Sequence, residues 1–199
     1  LDGLAERGVK ATFFLCGYRV DQYPELAARI AAEGHEIGTH GDQHQFFTRL
    51  SPEGVCADLA AASEKIQTAA GCAPTLLRPP GGLYDTGILE RTVCADLPVV
   101  LWSVDPEDWR CSDCAAVTRR ILNAAGPGDI ILMHDMSDSS VDAALRVIDA
   151  LQADGYTFLT VSELAARAGM ALRGGETYYS FSFEKNASIS EREAETEPC

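Results

Sequence analysis

The sequence predicts an α/β fold in which helices cover a mainly parallel β-sheet. Short apolar runs alternate with amphipathic stretches along most of the chain, which is typical of strands and helices that follow one another in turn. The run at residues 129–133 is continuously apolar, as expected for a strand that is buried on both faces. Periodicity alone does not distinguish an open doubly wound sheet from a closed barrel, so both architectures stay open at this point.

The pattern divides the chain into alternating elements. Strands are predicted at residues 9–15, 35–38, 76–78, 98–104, 129–133 and 157–161. Helices are predicted at residues 1–7, 24–33, 52–70, 86–95, 114–125, 141–154 and 162–168. The helix at 52–70 has the clearest boundaries, because Ser51 is a favourable N-cap, Pro52 suits the first helical position and Gly71 ends the helix. Ser162 is expected to cap the last helix, with Gly169 after it.

Length and charge limit the functions that the chain can have. Its 199 residues are enough for one domain with a substantial core. The formal net charge is −14, from 16 basic and 30 acidic residues. Nucleic acid and anionic lipid would repel such a chain, so we expect neither as a partner. No apolar stretch approaches the roughly 18 residues of a membrane-spanning helix.

The seven cysteines form no clear pattern. An odd number at irregular spacing does not indicate the disulfide framework of a small secreted scaffold. Cys111 and Cys114 form a single CxxC pair, whereas a zinc knuckle needs a second such pair. We therefore predict either a local disulfide or two unpaired thiols there, and cysteine usage does not determine the cellular compartment.

Polar side chains follow several of the apolar runs, at the strand ends where α/β proteins place their active sites. The segments are THGDQH at 39–44, RPPGG at 78–82, WSVDPEDW at 102–109 and IILMHD at 130–135. Each has residues suited to hydrolytic chemistry. Each also has a plainer structural interpretation when it is taken alone.

The histidines of these segments are candidates for metal binding and proton transfer. His40 and His44 are spaced to hold one cation together, and neutral imidazole is a good ligand for zinc and similar metals. HxxxH pairs are nevertheless common by chance. His134 ends a buried strand and is suited to general acid or base catalysis, although a single buried histidine is usually structural. His35 lies among apolar residues, and we predict a structural role for it.

The other two segments supply an arginine, carboxylates and indole rings. Arg78, at the base of a rigid Pro-Gly turn, is able to hold a carboxylate through two parallel hydrogen bonds, and a purely structural turn is the alternative. Asp105 and Asp108 are suited either to orienting a histidine or to capping a helix. Trp109 suits a sugar-binding wall or the core.

In their chain order these segments resemble the polysaccharide deacetylase family, which is carbohydrate esterase family 4. The resemblance runs from residue 1 to about residue 168 and includes GVKATFFLCG, YPELAARIAAEGHEIGTH, VVLWSVDPEDW, GDIILMHD and GYTFLTVSELA. It implies a distorted (β/α) barrel. It also implies an enzyme that removes N- or O-acetyl groups from sugar polymers such as peptidoglycan, chitin or xylan.

The resemblance assigns roles to individual residues. The family holds a divalent metal, commonly zinc, with one Asp and two His, and the two histidines match His40 and His44. The metal activates water and polarises the acetyl carbonyl. Arg78 matches the arginine that tethers the catalytic base, and the backbone N–H of the turn at Gly81 would stabilise the oxyanion.

Further matches concern the leaving group and the acetyl methyl group. His134 matches the general acid that protonates the leaving amine. Asp108 matches the carboxylate that keeps this histidine protonated, and Asp105 is the weaker candidate for that role. Trp109 and Leu132 match residues that line the small apolar pocket for the methyl group.

The sequence departs from the family pattern in three respects. The segment TFDDGP, which carries the base Asp and the metal-binding Asp, has no counterpart here, and we expect it upstream of Leu1. Without it the chain is expected to be nearly inactive. Gly41 stands where the family has Ser or Thr, so a hydroxyl that braces the metal segment is lost. Gly81 stands where the family has Tyr, so an aromatic wall of the sugar groove is lost.

We predict a catalytic domain at residues 1–169 and a C-terminal extension at 170–199 that is disordered after about residue 183. The aromatic residues of the extension are expected to form an edge strand across the end of the barrel; they are Tyr178, Tyr179, Phe181 and Phe183. The expected enzyme is a monomer that deacetylates peptidoglycan or a chitin-like polymer outside the cell or in its envelope. The alternatives are a related hydrolase of small amides or esters, and a non-catalytic carbohydrate-binding or structural domain.

Overall fold

The computed structural model describes residues 1–83 and 96–183 of the chain. The helix predicted at 86–95 and the disorder predicted after residue 183 lie outside the described residues.

Helices and strands alternate along the described chain. The helices are α1 (Asp2–Glu6), α2 (Gly17–Gln22), α3 (Pro24–Ala32), α4 (Pro52–Ala70), α5 (Cys114–Ala124), α6 (Asp138–Ala153) and α7 (Val161–Arg167). The strands are β1 (Thr12–Leu15), β2 (Glu36–Thr39), β3 (Val99–Val100) and β4 (Thr177–Tyr178). Short 3₁₀ turns occupy Phe47–Arg49, Pro80–Gly82 and Asp108–Arg110.

The strands join in a parallel arrangement. β1 pairs with β2 in the register Thr12↔Glu36, and β3 pairs with β4. Leu77 connects the two pairs, because it forms parallel bridges with the end of β2 and the start of β3. Parallel strands with helices between them confirm the predicted α/β class.

Local capping residues explain the helix boundaries. The Ser51 hydroxyl accepts a hydrogen bond from Gly54 N at 3.2 Å, and Gly71 ends α4 with φ +75°, as predicted. The prediction that Ser162 caps the last helix is wrong. Thr160 is the N-cap and forms a capping box with Glu163. Ser162 lies in the first turn instead, where its N–H and hydroxyl bind the Glu36 carboxylate.

Several predicted strands are shorter than expected or absent. The run at 76–78 pairs only through Leu77, and that at 98–104 forms the two-residue β3 and a bridge from Val104 to Ile131. The run at 157–161 forms no strand; Phe158 packs against the cluster between α5 and α6 instead. Helix α2 was not predicted. Cys111 and Cys114 are unpaired thiols, which decides between the two alternatives given above.

The described part of the C-terminal extension belongs to the core. Tyr178 and Phe181 are buried in one cluster with Leu76, Val100 and Ile130. Phe181 N donates to Gly128 O at 2.8 Å, and a side chain at Gly128 would lie 1.8 Å from the Phe181 carbonyl oxygen, so this approach requires glycine. A strand thus forms here, but it is only Thr177–Tyr178 and does not include Tyr179, Phe181 or Phe183. Its position across the end of the barrel and the division of the chain at residue 169 stay predictions.

Within the described residues, no helix combines the length and the apolar character needed to cross a membrane.

Candidate active site

The strand ends bring the predicted histidines and Arg78 to one place. The rings of His40 and His44 meet edge to face with their centroids 4.9 Å apart. His40 Nδ1 lies 2.5 Å from the carbonyl oxygen of Arg78. His134 is close enough for its charge to act on His40. These residues therefore form one candidate site.

His40 is held as a neutral imidazole with one free nitrogen. It directly follows β2, and its Nδ1 donates to the Arg78 carbonyl, which leaves the Nε2 lone pair available to a metal. Burial lowers the pKa of His40 to about 4 and outweighs the hydrogen bond to the Arg78 carbonyl, which raises it; the Arg78 charge acts in the same direction as burial. His40 is therefore uncharged at neutral pH, as a metal ligand must be.

His44 reaches the same point from a bent loop. Its backbone has φ 54°, the left-handed conformation that non-glycine residues rarely adopt. Such strain is typical of functional sites, where the surrounding structure maintains it.

The pair of imidazoles fits part of a metal site. Two imidazoles from one short loop suit zinc and other divalent transition metals. In residues 1–83 and 96–183 no group of three or more His, Cys, Asp or Glu side chains is arranged to hold a metal ion. The two histidines therefore supply an incomplete set of ligands within the described structure.

Asp108 and His134 form a buried pair. Asp108 Oδ1 lies 2.8 Å from His134 Nδ1, and Asp108 Oδ2 accepts a hydrogen bond from His134 N at 2.8 Å. The carboxylate is fully buried, while 32% of the His134 side chain is exposed. The exposed part of the ring is thus free to face a substrate.

Ser140 is a third partner of the Asp108 carboxylate. Burial alone would raise the pKa of Asp108, but hydrogen bonds from the His134 side chain, the His134 backbone and Ser140 together lower it. Ser140 is 2% exposed, and its hydroxyl accepts from Ser137 Oγ at 3.0 Å. The start of α6 thereby supports the ionised carboxylate.

Asp105 is engaged elsewhere. Its Oδ1 accepts a hydrogen bond from Glu107 N at 2.8 Å, which closes a local turn. Among the described contacts, His134 is bound by Asp108 and not by Asp105.

Arg78 is buried beneath the site. Its guanidinium donates to the carbonyl oxygens of Val100 and Leu101, both at 3.0 Å. It also lies 4.1 Å from the centre of the Phe14 ring. Burial lowers the pKa of Arg78 to about 10. Among the described residues, no carboxylate forms a salt bridge with Arg78.

The glycine turn after Arg78 is packed between two aromatic rings. Gly81 and Gly82 have φ values of 66° and 65°. A side chain at Gly81 would begin 2.8 Å from the Phe46 ring, and one at Gly82 would begin 2.7 Å from the Trp102 ring. Phe46 therefore occupies the space into which a side chain at position 81 would extend.

The residues expected at the acetate pocket differ in exposure. Leu132 is 7% exposed and belongs to the interior, whereas Trp109 is 59% exposed. Trp109 lies on the same 3₁₀ turn as Asp108, next to the site. The Arg110 guanidinium lies 5.7 Å from its ring centre.

His35 lies apart from the site. Its Nδ1 accepts a hydrogen bond from Ala11 N at 3.1 Å, and its ring meets the edge of Phe13. The residue is buried, which agrees with the structural role predicted for it.

Ser140, Asp58 and Phe46 were not singled out in the sequence. The serine-rich stretch after His134 gave a weak signal for Ser140, because serine favours helix starts. Asp58 and Phe46 reach the site only through the fold. No local pattern marks them.

The chain is similar in sequence to proteins of one known family. The sequence profile of the polysaccharide deacetylase family matches residues 1–100. The chain is 40% identical over 165 residues to the peptidoglycan-N-acetylmuramic acid deacetylase PdaC of Bacillus subtilis, covering 82% of this chain and 34% of that protein. It is 34% identical over 179 residues to the chitooligosaccharide deacetylase of a Bradyrhizobium species, covering 82% of each. The chain spans about a third of the length of PdaC.

Solved structures resemble most of the chain. A T48 deacetylase determined with substrate has a TM-score of 0.84 and 38% identity, covering 89% of this chain and 86% of that one. A family 4 acetyl xylan esterase from Clostridium thermocellum, in complex with a cobalt ion, has a TM-score of 0.82 and 30% identity, covering 90% and 89%. Proteins of similar architecture thus include one whose structure was determined with a cobalt ion.

Proposed function

Because the chain belongs to the polysaccharide deacetylase family, we propose that its protein is a metal-dependent hydrolase that removes acetyl groups from an acetylated polysaccharide. The family's (β/α) barrel, predicted above, is confirmed by the solved structures. One observation carries the proposal: two imidazoles meet directly after β2, and a histidine held by the buried carboxylate of Asp108 acts electrostatically on one of them, His40. Such a site contains both metal ligands and a proton donor, which this hydrolysis requires.

Family membership implies a divalent metal, and we propose zinc. When bound, such an ion activates water and polarises the acetyl carbonyl. His40 and His44 would hold it, with the Arg78 carbonyl fixing the orientation of the His40 ring. The family's third protein ligand and its catalytic base are carboxylates, and no carboxylate of the described residues is arranged to complete a metal site with the two histidines. Arg78 would then hold the base carboxylate.

His134 is proposed as the general acid. Since Nδ1 faces Asp108, the other ring nitrogen, Nε2, is free to donate a proton to the leaving amine. Asp108 fixes the orientation of the ring and balances its positive charge while the proton is in place. The partly exposed ring allows the substrate to approach.

The acetyl group would be bound by the residues around this centre. The turn is closed by hydrogen bonds from the N–H groups of Gly82 and Leu83, so the N–H of Gly81 is proposed as the donor to the oxyanion. Trp109 and Leu132 are proposed to line the pocket for the methyl group. The exposed indole of Trp109 is also suited to stacking against a sugar ring.

We propose peptidoglycan or a chitin-like polymer as the substrate, because relatives named for peptidoglycan and chitooligosaccharide deacetylation are both similar to this chain. We also propose that the protein is a monomer that works outside the cell or in its envelope. Cys56 is disulfide-bonded, and disulfides persist in oxidising compartments.

Acetate release from the full-length protein tests this function. The zinc-loaded protein is expected to release acetate from acetylated chitin oligomers or from peptidoglycan, and a chelator is expected to stop the release. His134→Ala should reduce turnover by about 10²–10⁴-fold, the usual contribution of a general acid. If the folded, zinc-loaded protein binds these polymers but releases no acetate, the non-catalytic alternative is correct.

A further inference from the structure

We propose that Asp58 is a positioning residue that holds residues 40–44, here called the histidine loop, in the shape needed for metal binding. The inference rests on the proposed function, because it concerns the two histidines assigned there to the metal. Asp58 lies on α4, distant in sequence from the loop that it contacts.

The carboxylate of Asp58 binds successive backbone N–H groups of the histidine loop. Asp58 Oδ2 accepts from Asp42 N at 2.7 Å, and Asp58 Oδ1 lies 3.4 Å from Gln43 N. Hydrogen bonds to an ionised carboxylate are stronger than those between neutral groups. These amides lie between the two histidines in the chain, so Asp58 fixes the backbone that sets their spacing.

The carbonyl groups of the loop are held from the opposite side. Gly17 N donates to Gly41 O, and Tyr18 N donates to Asp42 O, both at 3.0 Å. The Asp42 side chain is tied to Lys65 Nζ at 2.8 Å. The N–H groups of Asp42 and Gln43 remain, and Asp58 is the acceptor that the described structure records for both.

Gly41 and Asp58 fit each other. Gly41 has φ +76°, and a Cβ atom there would lie 2.6 Å from Asp58 Oδ2. Glycine therefore allows the carboxylate to reach the loop. Gly41 lacks the hydroxyl with which Ser or Thr is expected to brace this segment in the family. Asp58 provides a brace from another element, which explains how the loop keeps its shape without that hydroxyl.

Loss of this brace should weaken metal binding without unfolding the protein. Removing the carboxylate leaves the two N–H groups without their acceptor, and the loop is then free to move relative to α4. Changes to groups that orient metal ligands typically reduce metal affinity by about 10–100-fold. The effect should be local, because α4 is also held by buried Val55, Leu59 and Ile66.

The test compares two variants of the full-length protein that make the same chemical change on the same helix. Asp58→Asn removes the negative charge and one of the two acceptor oxygens, so at most one of the two loop N–H groups keeps its acceptor. Glu64→Gln alters an exposed carboxylate that does not contact the loop. Zinc affinity is measured by competition with a chromophoric chelator. Amide hydrogen exchange at Asp42 and Gln43 is measured in the metal-free protein, and the melting temperature shows whether each variant is folded.

Asp58→Asn is expected to lose about 10–100-fold in zinc affinity, with faster exchange at the two loop amides. Glu64→Gln should stay within about twofold of the unchanged protein in affinity, as expected for a surface substitution. Equal zinc affinity and equal exchange in the two variants would overturn the inference. If the unchanged protein binds no zinc, the proposed function fails instead, and the exchange data still decide whether Asp58 holds the loop. Should Asp58→Asn not fold, Asp58→Glu takes its place in both measurements.

Discussion

Asp108 binds His134 at two points. Its Oδ1 atom lies 2.8 Å from the ring Nδ1, and its Oδ2 atom accepts a hydrogen bond from the backbone N–H, also at 2.8 Å. A carboxylate that binds both the ring and the backbone of one residue fixes the position and the rotation of the imidazole together. This arrangement leaves little freedom for His134 to turn away from a substrate.

Asp108→Asn is therefore expected to reduce kcat strongly. The amide carries no charge to balance a protonated His134, and its NH₂ group cannot accept from the ring or the backbone. A loss of about 10²–10⁴-fold is expected if His134 acts as the general acid. Acetate release at saturating substrate measures it. Asp105→Asn is the matched control, because that carboxylate contacts its own turn. Equal losses in the two variants would argue against the pairing.

Ser140→Ala should destabilise the protein, because it removes one hydrogen bond to a buried carboxylate. The expected loss is about 1–3 kcal/mol in the free energy of unfolding. The pKa of Asp108 is lower in the native state than in the unfolded chain. The ionised carboxylate therefore stabilises the native state fully above the ordinary carboxyl pKa, and this stabilisation is lost as the pH falls through the lowered value. The deficit of the variant should accordingly be largest near neutral pH and shrink in acid. Urea unfolding of Ser140→Ala and of Ser139→Ala across this range provides the comparison, and a deficit independent of pH would contradict it.

His40 should make the metal-free protein sensitive to mild acid. Its native pKa is about 4, against an ordinary value of 6.5. As the pH falls below 6.5, His40 becomes protonated in the unfolded chain but stays neutral in the native state, so the free energy of unfolding decreases. The decrease ends when the native histidine is also protonated, near pH 4. The total effect is up to roughly 3 kcal/mol, since one pKa unit corresponds to about 1.4 kcal/mol. His40→Asn, measured with a chelator present, should show a flatter dependence. Parallel curves for the two proteins would mean that His40 is protonated as easily in the native state as in the unfolded chain.

Gly81→Tyr should lower stability, although tyrosine is the residue that the family usually has there. A non-glycine residue at φ 66° costs about 1–2 kcal/mol, and the new side chain would meet the Phe46 ring. Phe46→Ala removes that ring. If the steric conflict is real, the loss caused by Gly81→Tyr should be smaller in the Phe46→Ala background, which a double-mutant cycle of urea unfolding measures. Additive losses would show that Phe46 is not the obstacle.

Local signals allowed part of this fold to be predicted. Ser51, Pro52 and Gly71 set the ends of α4 because their effects come from neighbouring backbone groups. The run at 157–161 has the apolar content of a strand, but Val161 N donates to the Thr12 hydroxyl and Phe158 joins a helix cluster, so the backbone pairs with no strand. Such partners are set by tertiary packing. The periodicity of the sequence carries no information about these long-range partners.

The same distinction applies to the site. His40 and His134 were identified because active-site residues collect at strand ends in α/β proteins, a rule that requires only the order of elements. Asp58 and Ser140 lie on the faces of α4 and α6, and they reach the site only after those helices have packed. The roles proposed for all of these residues remain predictions for the experiments above.

The packing of Phe181 against Gly128 has a consequence for biosynthesis. The central cluster needs Tyr178 and Phe181, and β3 needs β4 as its neighbour, so a nascent chain that ends before residue 177 lacks part of its own interior. The amino-terminal strands leave the ribosome first and must wait for this late segment. This domain is therefore expected to complete its core only after residues 177–181 have left the ribosome, which leaves a period in which chaperones or a translocation channel can still receive the open chain.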